Sequence, residues 1–254
     1  MKKLSKIMTI VSIIVLTMIS CTGEEMIENI SPAETRSIVN TPQKEIFKFK
    51  HQGVEYTAEY EMQDSTMLFI DPIINNMIDK LENNPNVATL TYPDGMVEYF
   101  DSNEEFEDFI KNAKASNIKT YAVIPTNKFF TGMNLKIYED LDFQGEVLNY
   151  YEPISVPDMR NATNIKTAVE LPKDFNDKVS SFQLIGNLVQ LSPGLPIPPN
   201  VHHTAVVVFY RNFNYESKSK SFMIDTNNPQ VSHNNFRKIK FNDKPSSLKL
   251  YWVN

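Results

Sequence analysis

The sequence predicts a small α+β unit over residues 45–116 followed by an all-β sandwich over residues 117–254. Three observations carry this reading. Two amphipathic helix patterns with start and stop signals lie in the first segment and none in the second. Short apolar-alternating runs separated by turn residues fill the second segment. Within it a six-residue stretch occurs twice, Asn176-Asp177-Lys178-Val179-Ser180-Ser181 and Asn242-Asp243-Lys244-Pro245-Ser246-Ser247. Each copy follows a Phe (Phe175, Phe241) and leads into an apolar-alternating strand.

A processing segment precedes both units. Lys2, Lys3 and Lys6 stand before an apolar run over residues 7–19, too short for a membrane span but suited to the core of a secretory signal. Cys21 is the sole cysteine, so no intramolecular disulfide forms and the folded part holds by core packing. Met18-Ile19-Ser20-Cys21 resembles a bacterial lipobox of the Bacteroidetes type, with Met18 where a Leu is usual. That resemblance implies signal removal at residue 20, acylation of Cys21 and anchoring in a Gram-negative outer membrane or cell surface. Residues 21–44, polar and acidic, read as the tether. Removing residues 1–20 takes three lysines and no acids, moving the net charge from −6 to about −9. Such a field is poorly suited to nucleic acid and compatible with cations.

In the first unit, Phe47 and Phe49, then Val54, Tyr56, Ala58 and Tyr60, alternate about His51-Gln52-Gly53 as a strand pair. Asp71-Pro72 supplies a cap and a first-turn proline for a helix presenting Ile73, Ile74, Met77, Ile78 and Leu81, ended at Asn83-Asn84-Pro85. Strands over residues 87–92 and 96–100 flank the tight turn Asp94-Gly95. Ser102 and Glu105 form a capping box for a second helix that buries Phe106, Phe109 and Ile110. Glu104, Glu105, Glu107 and Asp108 read as acids favoured by the helix dipole on a solvated face.

The second segment divides at the proline-rich residues 192–200, too rich in Pro for a central strand, into motifs over about 133–190 and 204–254. Ile137-Tyr138-Glu139-Asp140-Leu141-Asp142-Phe143-Gln144-Gly145 aligns with Phe209-Tyr210-Arg211-Asn212-Phe213-Asn214-Tyr215-Glu216-Ser217. From the first aromatic to the Asn of the loop is 38 residues in one half and 32 in the other, the difference being placed in a longer loop over residues 154–167.

This order of signals resembles the βγ-crystallin superfamily, over about half the chain. The resemblance implies an all-β Greek-key sandwich (βγ-crystallin-like) as the C-terminal domain, preceded by the small α+β domain. Both loops also fit the calcium pattern of that family, Asn/Asp-Asn/Asp-x-x-Ser/Thr-Ser. The resemblance therefore implies two Ca2+ ions held between interlaced loops. Asp177, Ser180, Asp243 and Ser246 would be side-chain ligands, and Lys178 and Lys244 carbonyl donors, with Glu139 and Arg211 as hairpin carbonyl candidates. Asn176, Ser181, Asn242 and Ser247 would fix loop geometry. So few carboxylates imply an affinity on the order of micromolar or weaker. Asn-Asp and Ser-Ser also serve turns without any metal, which is the competing reading of the same residues. Ser217 stands where the family has a Gly with φ > 0, and a strained or differently shaped second hairpin is expected.

Catalytic signals do not accumulate. His202-His203 lies beside the proline-rich connection without a third ligand at metal-site spacing, and reads as surface loop. No nucleophile elbow occurs, and the glycines form no phosphate-cradling cluster. The sequence is read as non-enzymatic. A calcium-binding surface module, with a protein or glycan partner, is one function class. The alternative is a protease inhibitor or interaction protein on the same scaffold, working through residues 154–167 or 192–200.

Overall fold

The computed structural model describes residues 44–63, 66–116, 127–161, 174–199, 201–239, 241 and 244–253. The expected signal segment, Cys21 and the tether up to residue 43 lie outside the described residues, as do Asn242 and Asp243.

Strands β1 (Glu45–His51) and β2 (Val54–Gln63) form the expected hairpin, with Gln52 (φ 50°) and Gly53 (φ 79°) both in the left-handed region that a tight primed turn requires. A third strand, β3 (Thr66–Phe69), pairs with β2 and was not anticipated. Helix α1 (Pro72–Asn83) starts where the sequence placed it, the Asp71 carboxylate accepting from the Ile73 amide at 2.8 Å. It buries Ile78 and Leu81 on Phe49, Val87 and Tyr99, but Ile73 is 77% exposed, a correction to the expected apolar face. Strands β4 (Ala88–Thr91) and β5 (Val97–Phe100) close on Asp94-Gly95. Helix α2 (Asn103–Ser116) is capped by Ser102, whose hydroxyl accepts from the Glu105 amide at 3.2 Å. The Glu105 carboxylate reaches the Asp101 amide, one residue beyond the expected one.

The second segment holds two four-strand motifs. One comprises β6 (Lys128–Tyr138), β7 (Val147–Tyr150), β8 (Ile154–Val156) and β9 (Ser181–Gln190). The other comprises β10 (Thr204–Tyr210), β11 (Ser219–Asp225), β12 (Gln230–His233) and β13 (Ser247–Trp252). Short 3-10 turns lie at matching places: η1 (Leu141–Phe143), η2 (Met159–Asn161), η3 (Phe213–Tyr215) and η4 (Phe236–Ile239). The third strand of each motif leaves its own sheet. β8 pairs with β13 of the second motif, and β12 pairs with β9 of the first. The result is an all-β Greek-key sandwich of two interlocked sheets, β12-β9-β6-β7 and β8-β13-β10-β11. Residues 154–156, expected as loop, are thus a strand; residues 162–173 of the long connection are outside the described residues.

The division between the two segments does not interrupt the sheet. β4 pairs in parallel with β11, Ala88 opposite Ser219 through Thr91 opposite Phe222, and nine strands run β3-β2-β1-β5-β4-β11-β10-β13-β8. β10, flanked by β11 and β13, is buried on both faces. Ala205, Val207 and Phe209 enter the core between the sandwich sheets, while Val206, Val208 and Tyr210 pack with Phe106 and Ile110 of α2. The sandwich core centres on Phe182, whose ring lies 4.7–5.5 Å from those of Phe209, Phe222 and Phe236. Glu107 is not merely solvated: it pairs with Lys249 of β13 and accepts from the Tyr210 hydroxyl at 3.2 Å. His202 likewise is no free surface residue, its ring stacking on Trp252 at 4.5 Å.

An ion cluster fastens α1 to β11. Glu82 pairs with the Lys218 ammonium and, at 3.2 Å, with that of Lys220. Burial raises its pKa, but Lys220 and Lys218 outweigh that and hold the carboxyl at about 2, below its ordinary 4.5. A depressed folded pKa adds stability that is complete above the unfolded value and vanishes as pH falls through the folded one. Stability should therefore drop between pH 4.5 and about 2, and Glu82→Gln should flatten that limb. At neutral pH the same substitution should cost about 3 kcal/mol by leaving two lysines without their anion. Urea midpoints against pH read both effects; an unchanged acid limb in the variant would refute the assignment.

Candidate calcium site

The two six-residue loops face each other because each is tied into its own motif's hairpin and into the other motif's 3-10 turn. The Ser180 amide donates to the Tyr138 carbonyl (3.1 Å), and the Ser246 amide to that of Tyr210 (2.9 Å). In return the Ser180 carbonyl accepts from the Phe236 amide of η4, and the Ser246 carbonyl from Met159 of η2, both at 2.9 Å. Phe175 and Phe241, the residues before the loops, are buried anchors that donate to the Met159 and Phe236 carbonyls. An approximate two-fold relation is thus written into single hydrogen bonds.

The last serine of each loop holds a hairpin. Ser181 Oγ donates to the Asp140 carbonyl and Ser247 Oγ to the Asn212 carbonyl, both at 2.6 Å. The same hydroxyls accept from the Phe143 and Tyr215 amides, both at 3.1 Å. Both serines are fully buried. The hairpins share one shape: Asp142 (φ 54°), Phe143 (62°) and Gly145 (78°) correspond to Asn214 (55°), Tyr215 (65°) and Ser217 (64°). Ser217 therefore adopts the left-handed conformation, and the expected difference in shape is absent. A Cβ at Gly145 would meet the Asp140 carboxylate at 2.6 Å, so a side chain there would have to displace that carboxylate as well as adopt the left-handed conformation. At Ser217 the conformation is held from outside the motif. Its hydroxyl donates to the Pro85 carbonyl at 2.9 Å, and its carbonyl accepts from the Asn103 amide group at the start of α2.

Of the expected ligands, the structure brings Asp177 and Ser246 together across the motifs: Ser246 Oγ donates to Asp177 Oδ1 at 3.3 Å. The Asp177 amide also reaches the Pro245 carbonyl at 3.3 Å, and Asp177 itself takes φ 54°. Ser180 Oγ lies 3.4 Å from the Lys178 carbonyl. Asp177, Lys178, Ser180 and Glu139 border one open hollow with Asp140 and Arg237. Lys178 Nζ lies on the Glu139 carboxylate at 3.6 Å. Arg211 and Lys244 are exposed, leaving only their carbonyls as candidates, and Asp243 lies outside the described residues. Asn176 donates to the Asp177 carboxylate at 3.0 Å, while its own Oδ1 is buried without a partner.

Two features escaped the sequence. Arg237 reaches the hollow after an Asn234-Asn235 turn, its amide donating to the Asn235 side-chain oxygen at 2.9 Å, and Asp142 accepts from Asn234 of the other motif at 2.8 Å. Among the described residues, no three His, Cys, Asp or Glu side chains cluster to hold a metal. An ion between the loops would rely on hydroxyl and carbonyl oxygens beside the Asp177 carboxylate, with Glu139 and Asp140 on the same hollow. That is a hard-oxygen set suited to calcium, and two oxygens 3.3 Å apart can be shared by one ion about 2.4 Å from each.

No protein-family model and no curated protein sequence matches the chain. Solved structures to which it is similar include a βγ-crystallin from an archaeon, at 15% identity and TM-score 0.28 over 48% of this chain and 100% of that one. Another comes from work on the evolution of the eye-lens βγ-crystallin domain fold, at 16% identity and TM-score 0.28 over 52% and 94%. A double mutant of a βγ-crystallin domain from Clostridium beijerinckii aligns at 24% identity and TM-score 0.25 over 46% and 96%.

The serine clamps give a direct stability test. Ser181→Ala and Ser247→Ala each strand a buried amide and carbonyl, and should each lower unfolding free energy by about 1–3 kcal/mol in chelator. Urea denaturation measures this; losses within error would show that the clamps carry no weight.

Proposed function

We propose that the sandwich is a non-enzymatic calcium-binding module, with two Ca2+ ions between the paired loops, in an exported protein anchored to a membrane through acylated Cys21. The observation that supports it most is the reach of Asp177 across the motif boundary to Ser246, which places a carboxylate and a hydroxyl from opposite loops at one point. Asp177, Ser246 and the Lys244 and Arg211 carbonyls would hold one ion. Ser180, the Lys178 and Glu139 carbonyls, and Asp243 would hold the other. Calcium would supply positive charge that neutralises these oxygens and ties the loops together. The chain supplies preorganisation: Ser181 and Ser247 fix the hairpins whose carbonyls take part. Lys178 and Arg237 beside the hollow work against a cation, consistent with affinity in the range of extracellular modules rather than cytosolic buffers.

Ion binding to the folded state alone stabilises it by about 2.7 kcal/mol at a hundredfold excess over Kd. A melt of the full chain with excess calcium should rise by about 5–10 °C over the same chain in chelator. Equal melting temperatures would remove the calcium reading and favour the inhibitor or interaction module on the same fold.

A further inference from the structure

The two sheets end in four edge strands, β3 and β8 in one, β12 and β7 in the other. Edges are ordinarily blunted by charge, proline or a bulge, because an open row of amides and carbonyls is a template for another strand. β3 carries none of these devices. Thr66-Met67-Leu68-Phe69 is uncharged and free of proline, and its ladder to β2 runs without a register shift. Among the described residues it is also the one edge strand with exposed large apolar side chains. Met67 and Leu68 are 40% and 42% exposed, and Met62, opposite Met67 on β2, is 50% exposed.

Hydrogen-bond parity identifies which groups of β3 face the open edge. The Ile70 amide donates to the Glu59 carbonyl at 3.0 Å, so these two residues form a hydrogen-bonded pair of the antiparallel ladder. Such pairs alternate with non-hydrogen-bonded ones. Leu68 with Glu61 is therefore the next bonded pair, while Phe69 with Tyr60 and Met67 with Met62 are the non-bonded ones. The amides and carbonyls of Met67 and Phe69 point away from β2.

That pattern is self-complementary. Opposed residues of an antiparallel ladder share a face, so a two-fold axis normal to the sheet passes beside one residue of the strand. With the axis at Leu68, Met67 of one copy opposes Phe69 of the other, twice over, and the outward groups meet in four backbone hydrogen bonds. An axis at Met67 pairs only the two Met67 residues within the strand. The side chains match in the Leu68 register as well. On the face packed by α1, the row Tyr60-Phe69 of one copy continues into Met67-Met62 of the other, setting each exposed methionine beside aromatic rings. On the opposite face Leu68 meets Leu68 in a non-hydrogen-bonded pair, where side chains approach most closely. Charge does not oppose the contact. Glu61 and its counterpart stand three strand spacings apart, about 14 Å, beyond the Debye length of about 8 Å. Glu59, the other acid near this face of the edge, already pairs with Lys44 at 3.4 Å.

We propose that β3 is a self-association edge at which two copies of this chain join, Leu68 against Leu68 on a two-fold axis, into one sheet continuous through both. The contact belongs to the N-terminal segment and does not rest on the calcium reading. A four-residue pairing lies below the standard interface size, which sets a dissociation constant on the order of 10–100 μM.

The test is sedimentation velocity and disulfide trapping on the full chain in a Cys21→Ser background, which contains no other thiol. Sedimentation should show a monomer–dimer equilibrium up to about 200 μM, and Leu68→Lys, a change at an exposed site, should weaken it tenfold or more without altering the melting temperature. Leu68→Cys should oxidise to a linked dimer, since paired Cα atoms of about 4.5 Å separation are within disulfide reach. Ile46→Cys, on the same face but two strands inward and 64% exposed, should not. A monomer at every concentration would overturn the proposal, and protection of the Met67 and Phe69 amides from hydrogen exchange in that monomer would assign the edge to a segment of the same chain. Dimers insensitive to Leu68→Lys, or equal trapping at residues 46 and 68, would place association on another surface and overturn it too.

Discussion

The exchange of third strands between the two motifs is the constraint on which the sandwich depends. With β8 bound to β13 and β12 bound to β9, neither motif can complete a sheet alone, and the core around Phe182 is built by both. The exchange also delivers η2 and η4, the turns that follow β8 and β12, to the opposite loops. There they receive the Ser246 and Ser180 carbonyls. The facing loops are a consequence of strand topology before they are a metal site. Any ion between them would be bound by a scaffold whose unfolded form lacks the site, so binding and folding are linked.

The N-terminal segment is joined to this scaffold as an extension of its sheet. β4 caps the outer edge of β11, whereas β7, the counterpart of β11, has no such neighbour among the described residues. Covering an edge removes a row of unpaired backbone groups, and α2, carried by the same segment, buries the second face of β10. The join also reaches the second hairpin. Asn103 and Pro85 hold Ser217 in the conformation that the first hairpin secures with Gly145. α1, carried by this extension, leaves a cavity between itself and η4, lined from both segments.

Much of this was legible in the sequence because it is local. Asp71-Pro72, Asp94-Gly95 and Ser102 to Glu105 announce their turns and caps through short-range hydrogen bonds, and each lies where expected. The duplicated loops and hairpins were legible as a repeat, and their reciprocal hydrogen bonds follow it residue by residue. What escaped is non-local. Ile154-Ser155-Val156 is too short to show alternation, and Gln230-Val231-Ser232-His233 has one apolar residue, so the exchanged strands left little trace. Nothing in Ala88-Thr89-Leu90-Thr91 names β11 as its neighbour. The unbroken apolar run from Ala205 to Tyr210 did carry a signal of two-sided burial, since strands covered on both faces lose their alternation. Of the candidate site, the residue types facing each other were readable, but the Asp177 to Ser246 contact and the intrusion of Arg237 depend on tertiary placement.

Coupling between the loops is the central claim, and calorimetric calcium titration of the full chain beside its Asp177→Ala variant tests it most directly. Two ions per wild-type chain are expected under the proposed calcium reading, with affinity on the order of micromolar or weaker. Interlaced loops also require that the single substitution weaken both binding events, since Asp177 borders the hollow of its own loop and touches Ser246 of the other. No heat with millimolar calcium would contradict the site altogether. Loss of one event with the other untouched would contradict the coupling that the strand exchange imposes.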